Sequence, residues 1–396
     1  MILSIESLAA GSDAVARDQG KVVFVAGGAP GDRVEAEIVE SHAGWSRARV
    51  LRVIDAGPAR VVARCPYARA GTCGGSPWQH VAREAQLAAK HAIVANALRK
   101  LDGVRIDPIV AAAPDVGWRR RARLHWIHAG SADAVIGFYA PRSHRITDIE
   151  ACPQLEPRLE RALSEIRTKL APALRARGEI HLAAGSGDAI HVVIDGPCDP
   201  GAAAALVGSA GIAGVRVGDR AFGASAIEID DGVAAAADDF AQASEAGNRA
   251  LGQIVSEMLG APRDDGRALL ELYAGAGNLT RHARALGWRV TATDVVAPAR
   301  PLDEVETITA PIDRVFEQLR GREFDAVLLD PPRAGAKEAM PHLRAPRILY
   351  VSCDPATLAR DAQVLAGAGY AATRAVPIDL MPDTAHVEVV VRFERS

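Results

Sequence analysis

Cysteine is scarce. The chain holds five in 396 residues (Cys65, Cys73, Cys152, Cys198 and Cys353), too few and too scattered for a disulfide framework, so each is weighed singly as thiol or metal ligand. Aromatic residues make up only 4%, and the core therefore leans on aliphatic side chains and alanine. An excess of one charge is absent as well: 46 Lys and Arg against 49 Asp and Glu leave −3, which excludes a uniformly basic nucleic-acid binder but not a basic patch. No apolar run reaches the roughly 20 residues of a membrane span. The most apolar long stretch, 201–215, is Ala- and Gly-rich and contains Ser209. Met1 to Gly20 carries Glu6 and Asp13 and no signal-type apolar run, so a soluble, cytoplasmic protein without membrane contact is expected.

What is present is globular. Hydrophobic residues at 49% and charged residues at 24% exclude a disordered or fibrous chain. A length of 396 residues exceeds the roughly 250–300 that one core fills, so two or three domains are expected. Ile2 to Glu6, Lys21 to Val25, Arg33 to Val39 and Ala48 to Ile54 alternate around turns at Gly27-Gly28 and Pro30-Gly31, the pattern of a small β-barrel over 1–60. Residues 83–101 space their apolar positions as one amphipathic helix within a β-rich central domain, 61–238. From 239 to 396 strands and helices alternate, which predicts an α/β domain with a parallel, Rossmann-like sheet.

Three strand ends in that last domain carry the chemistry. Ala268 to Leu272 runs through Tyr273 into a turn with Gly275 and Gly277, where the backbone can approach a ligand. Thr280 stands where a dinucleotide fingerprint has its third glycine, which disfavours a nicotinamide cofactor. Asp294, ending the next strand, is placed to accept from ribose hydroxyls, and Glu271 adds a second acceptor, as S-adenosylmethionine sites commonly have. A second buried strand ends in Asp330-Pro-Pro-Arg333, and a third in Cys353. In an open α/β sheet, ligands lie beyond the carboxyl ends of the strands. A free thiol near pKa about 8.5 needs activation, here expected from the helix opening at Asp354-Pro355. The last strand is expected to present His386 and Glu388 on one face, the carboxylate serving as base with a raised pKa.

These residues resemble a known family. Asp330-Pro-Pro-Arg-Ala-Gly, Val351-Ser-Cys-Asp-Pro and His386-Val-Glu are similar to the signatures of the S-adenosylmethionine-dependent RNA uridine-5-methyltransferases, and the likeness spans nearly the whole chain. Gly137-Phe-Tyr-Ala-Pro-Arg and Asp148-Ile-Glu-Ala-Cys152-Pro resemble the family's central domain, and the barrel its RNA-binding TRAM domain. The resemblance implies that Cys353 is the nucleophile adding to uracil C6, and Glu388 the base that removes the C5 proton. It implies a methyl donor held by Gln242 (in Asp239-Phe-Ala-Gln), Glu271, Tyr273, Gly275, Gly277, Asp294 and Asp330. Cys65, Cys73 and Cys152 resemble three ligands of the family's [4Fe–4S] cluster, with Ser76 where the fourth cysteine would be, so a cluster is an open expectation. The partner is RNA, ribosomal rather than transfer RNA by the barrel and the cluster-like segment, and a monomer is expected. Arg119-Arg120-Arg121 and Arg123 beside Trp118, and Arg47 and Arg49 beside Trp45, are candidate phosphate contacts. Competing readings are a tRNA uridine-5 enzyme, an amino-group methyltransferase, and a non-catalytic RNA-binding or RNA-folding protein on the same scaffold.

Overall fold

The computed structural model describes residues 1–128, 130, 133–262, 267–298 and 300–395. Five strands (Ile2–Leu8, Ala14–Asp18, Lys21–Ala26, Arg33–Ser41, Trp45–Asp55) close into a barrel. Its inside is filled by every second residue, Leu3 and Ile5, Val23 and Val25, Val34 and Ala36. The strand Ala14–Asp18 is the one barrel element that alternation did not reveal, because its outward residues near Arg17 merge with the turn that follows.

A seven-stranded sheet, Arg177–Ala184 at its middle and Arg121–Ile127 beside it, forms the central body. The helix Pro157–Leu170 buries Leu159, Leu163, Ile166 and Leu170 against one face. Part of the other face is covered by the hairpin Ile227–Asp230 with Val233–Ala235, packed on Ala183 and Val193.

The third body is a nine-stranded sheet in which Glu306–Thr309, Arg289–Asp294, Ala268–Leu272, Ala326–Leu329 and Arg347–Ser352 run parallel, in that order. Glu388–Arg395 pairs antiparallel with Arg347–Ser352, and Tyr370–Asp379 follows it. The period of two sends Leu270 and Leu272 to one hydrophobic layer and Leu269 to the other. Because Glu388–Arg395 runs backwards, its first residue lies at the edge where the parallel strands end. The whole row of Tyr273, Asp294, Asp330, Cys353 and Glu388 thus falls on one rim.

Residues 83–111 lie in the stretch 61–238 but pack on this third body. The helix Arg83–Leu98 puts Val94 and Leu98 into its core, and Arg105–Ile106 and Val110–Ala111 pair with Tyr370–Asp379. The same helix buries Gln86 and Lys90 at i and i+4, so its inner stripe is half polar. Lys90 Nζ donates to Asp379 Oδ1 at 2.5 Å, both side chains fully buried, and Arg83 joins the same carboxylate. Gln86 and Gln154 each donate from Nε2 to Asp383, at 2.8 and 2.6 Å, and the Asp383 carbonyl accepts from Trp78 N. Asp383 therefore ties the segment after the barrel, the helix Arg83–Leu98 and the central body to the chain that leads into Glu388. Among the described residues no helix is long and apolar enough to cross a membrane.

Candidate active site

The crevice is built from strand ends. Ser352 pairs with Val389, so one further step along the ladder brings Cys353 opposite Glu388. Glu388 is 4% exposed, and Cys353 is partly buried. Burial, the neighbouring Glu388 and Asp330 push the Cys353 thiol up to about 11, with Arg333 pulling the other way. The expected lowering by the helix opening is not met, because the Asp354 carboxylate already takes the Thr357 amide at 2.8 Å and burial dominates. In the free protein Cys353 is therefore a thiol. Burial raises Asp330 to about 7, and burial together with Asp330 raises Glu388 well above the carboxylate range. His386 lies before the strand Glu388–Arg395, not in it, so the shared-face expectation is corrected. Its Nε2 is 3.4 Å from Arg333 Nη2, and burial followed by the Arg333 charge lowers it to about 4, which keeps the ring neutral.

The glycine turn opens beside this pair. Tyr273 has φ 61°, a backbone state unfavourable for a tyrosine, at the point where strand becomes turn. A Cβ on Gly275 would meet nothing within 4 Å, whereas one on Gly277 would strike Leu302 at 2.6 Å. Gly275 thus leaves the open approach, and at Gly277 the absence of a side chain makes room for Leu302. Asp294 accepts from Gly275 N at 2.8 Å and stays partly exposed, with room for further donors. Glu271 points away from Leu270 and Leu272, accepting from Thr280 Oγ1 at 2.6 Å, and burial raises it to about 8. The residue that breaks the dinucleotide fingerprint therefore has its own role, satisfying a buried acid.

The arginine run does different work from that expected. Arg120 is fully buried; it clasps Asp230 in a two-pronged pair and donates to the carbonyls of Ile229 and Gln242. Arg121 binds the carbonyls of Ala237, Asp239 and Ala241. Both guanidinium groups are taken up within the protein, and together they pin the segment that carries Gln242, whose side-chain amide has no partner among the described residues. Asp230 also accepts from Asn248, which pairs with Asn278 of the glycine turn. The sequence carried no signal for this network, since a basic run looks the same whether it grips phosphate or backbone carbonyls. Trp118 is buried and donates to Gln154.

A partly buried thiol and a buried carboxylate at the carboxyl edge of a Rossmann-like sheet, in a chain that also carries a five-stranded barrel, narrow the comparison. Residues 307–396 match the tRNA (Uracil-5-)-methyltransferase model, and residues 3–51 match the TRAM domain. A protein of Edwardsiella ictaluri named 23S rRNA (uracil(1939)-C(5))-methyltransferase RlmD is 34% identical, covering 100% of this chain and 96% of its own. The chain belongs to the RNA uracil-C5-methyltransferase family. A Pseudomonas putida protein of the same name is 33% identical over 99% of this chain and 93% of its own. The Pyrococcus abyssi tRNA (uracil-54, C5)-methyltransferase, solved with S-adenosyl-L-homocysteine, shares the fold with a TM-score of 0.73. It is 22% identical and covers 99% of this chain and 100% of its own.

Among family features, the cluster segment departs most. Cys65, Cys73, Ser76 and Cys152 do line one pocket, with Gln79, Gln154 and Arg119. Its cavity is about 20 Å³, room for about one water. Three thiols and a hydroxyl do not supply four thiolates, and burial pushes Cys73 and Cys152 up, toward the neutral thiol. Among the described residues no group of three or more His, Cys, Asp or Glu can hold a metal ion. The pocket does not fit a [4Fe–4S] cluster, and the expectation of one is not supported. Cys198 lies apart from both sites, near Asp199.

Proposed function

We propose that this methyltransferase transfers a methyl group to C5 of a uridine in 23S ribosomal RNA, through a transient bond between Cys353 and C6. The observation that carries it is the meeting of Cys353 and Glu388 across adjacent strands at the rim that also ends in Asp330 and Asp294. S-adenosylmethionine, when bound, supplies an electrophilic methyl on a sulfonium sulfur. Asp294, Gln242 and the open face of Gly275 are suited to hold its ribose and amino-acid ends. Asp330 and Glu388 offer negative charge that a sulfonium cation would favour, and the same cation would bring Glu388 back toward the ionised form.

Uracil C5 is a poor nucleophile until C6 is saturated. The Cys353 thiol first gives its proton to solvent; the thiolate then adds to C6, and the electron pair of the C5–C6 double bond moves onto the C4 carbonyl oxygen as an enolate. C5 then takes the methyl as the sulfonium's carbon–sulfur bond breaks and its electron pair stays on sulfur; Glu388 accepts the C5 proton, and the electron pair of that C–H bond restores the C5–C6 double bond as the thiolate departs. Holding the reacting atoms at one rim supplies several kcal/mol of the barrier, about what proximity contributes elsewhere. The base must be unstacked for C6 to be reached, so the target uridine lies in a loop or is flipped out.

Full-length likeness to relatives named for 23S rRNA supports ribosomal over transfer RNA as substrate. Cys353→Ala is expected to abolish methylation while leaving donor binding within about twofold by calorimetry. Full turnover by that variant would overturn the proposal, and failure of the wild type to bind the donor would favour the non-catalytic scaffold reading.

A further inference from the structure

Two neighbouring strand ends of the rim are locked to each other by one buried acid. Asp361 lies on the helix Pro355–Gly367, which begins two residues after Cys353, and its side chain is sealed from solvent. Its Oδ2 accepts from Ala336 N at 2.7 Å and from Tyr350 Oη at 2.8 Å, while Oδ1 takes Nε and Nη2 of Arg360 at 2.9 and 2.7 Å. Arg360 Nη2 donates as well to the Ala334 carbonyl at 2.8 Å. The chain after Asp330 is therefore tied to the helix at both 334 and 336. Between these ties Gly335 has φ 83°, and its amide closes a turn onto the Pro332 carbonyl at 2.7 Å. A Cβ at Gly335 would overlap Thr357, Arg360 Nη2 and Asp361 Oδ2, so only glycine lets the turn seat on the helix. Arg333 is the second residue of that turn. Its side chain is exposed and reaches the neutral ring of His386 at 3.4 Å. His386 stands two residues before Glu388, which faces Cys353 across the ladder, so the guanidinium is carried to the mouth of that pair.

We propose that Asp361 is a positioning residue for methyl transfer: by fixing the turn 332–335 on the helix that follows Cys353, it sets the Arg333 guanidinium against the Cys353 sulfur. The inference rests on the reading of Cys353 as nucleophile and adds what holds the charge beside it in place. An exposed arginine on a free loop is spread over many positions and screened by solvent. One whose turn is bolted to the nucleophile's own helix keeps its distance to the sulfur. Of the charged groups that act on Cys353, Arg333 favours the thiolate, and Glu388 and Asp330 oppose it. Those that act on Asp361 are Arg360 and the phenols of Tyr350 and Tyr273, both raised by burial and neutral.

Alkylation by iodoacetamide, followed peptide by peptide in a mass spectrometer, reads the thiolate fraction of Cys353 without RNA or donor. At pH about 8, Arg333→Ala should slow alkylation of Cys353 roughly threefold, the loss of one nearby charge partly screened by solvent. Asp361→Asn and Arg360→Ala should slow it to a similar degree, and Arg360→Ala, whose side chain is nearly half exposed, should fold as wild type. Either variant combined with Arg333→Ala should be no slower than Arg333→Ala alone. Tyr350→Phe, which leaves both ties to the turn, should alkylate as wild type while melting lower. At saturating RNA and donor, kcat should fall by the same factor as alkylation, with donor affinity by calorimetry within about twofold. Wild-type alkylation in Arg333→Ala or in both Asp361→Asn and Arg360→Ala, losses that add to that of Arg333→Ala, or an equal loss in Tyr350→Phe would each overturn the positioning role. With Cys353→Ala inactive, the proposed function would still stand. Full turnover by Cys353→Ala would overturn the proposed function instead, whatever the alkylation rates.

Discussion

Asp383 offers a stringent test of how the bodies are held around the rim. Replacing it with alanine removes two acceptor contacts that are nearly sealed from water, Asp383 being 6% exposed. Gln86 Nε2 keeps the carbonyls of Trp78 and Val81 at 3.2 and 2.9 Å, so its loss is partly made good. Gln154 Nε2 has no such fallback, and a buried donor left unpaired beside a lost charged acceptor costs about 1.5–3 kcal/mol. The residue also sits at φ 63°, which aspartate tolerates better than alanine by about 1 kcal/mol. The sum is about 2.5–4 kcal/mol for Asp383→Ala. Asp383→Asn keeps one acceptor and the backbone tolerance, so it should cost about half as much. Urea denaturation of both variants, with methylation rates alongside, reads the effect. Because the chain passes from Asp383 directly to His386 and Glu388, turnover should fall with stability rather than independently of it. A loss below about 1 kcal/mol in Asp383→Ala, with unchanged turnover, would refute the clamp.

Other outcomes follow from the same geometry. With Cys353 at about 11, kcat/KM should rise about tenfold per pH unit through neutral pH, and Arg333→Ala should lower it at pH about 7, since that guanidinium favours the thiolate; a flat profile would contradict this. Glu271 stands at about 8 folded against about 4.3 unfolded, so the native state holds the extra proton between those values and stability falls as pH rises through them. Glu271→Gln keeps an acceptor for Thr280 and should flatten that decline in melting temperature measured without donor; an unchanged slope would count against the assignment. Arg120→Ala should weaken donor binding about tenfold or more by calorimetry while sparing single-strand RNA affinity, because its bonds end on Gln242 and Asp230. Protein purified without oxygen should carry far less than four irons and four sulfides per chain, and Cys73→Ser should methylate as wild type; stoichiometric iron would contradict the reading of the pocket.

Much of the rim was legible because its signals are local. Glycines, acids and a cysteine at the ends of apolar strands fall on one edge by the topology of a parallel sheet, and Asp294, Asp330 and Cys353 do so here. What was illegible depends on distant pairing. The fate of Arg120 and Arg121 is fixed by carbonyls more than a hundred positions away, as in the Arg120 to Gln242 contact. Nothing in the sequence marks Lys90 and Gln86 as inward-facing, yet both are buried, because Asp379 and Asp383 come from the far end of the chain to meet them. The likewise distant Asp13 to Arg142 contact joins two bodies through residues that alone suggest only surface charge. His386 was misassigned for a smaller reason: strand periodicity was extended two residues past the point where the ladder begins.

The central claim is a sulfur–carbon bond between Cys353 and the target ring. Ribosomal RNA transcribed with 5-fluorouridine has no C5 proton for Glu388 to remove, so after methyl transfer the adduct has no exit. Incubation with S-adenosylmethionine should give a denaturation-resistant protein–RNA species whose cross-linked peptide contains Cys353, and none in Cys353→Ala. A cross-link on any other residue, or its absence from an enzyme that methylates ordinary uridine, would contradict the account.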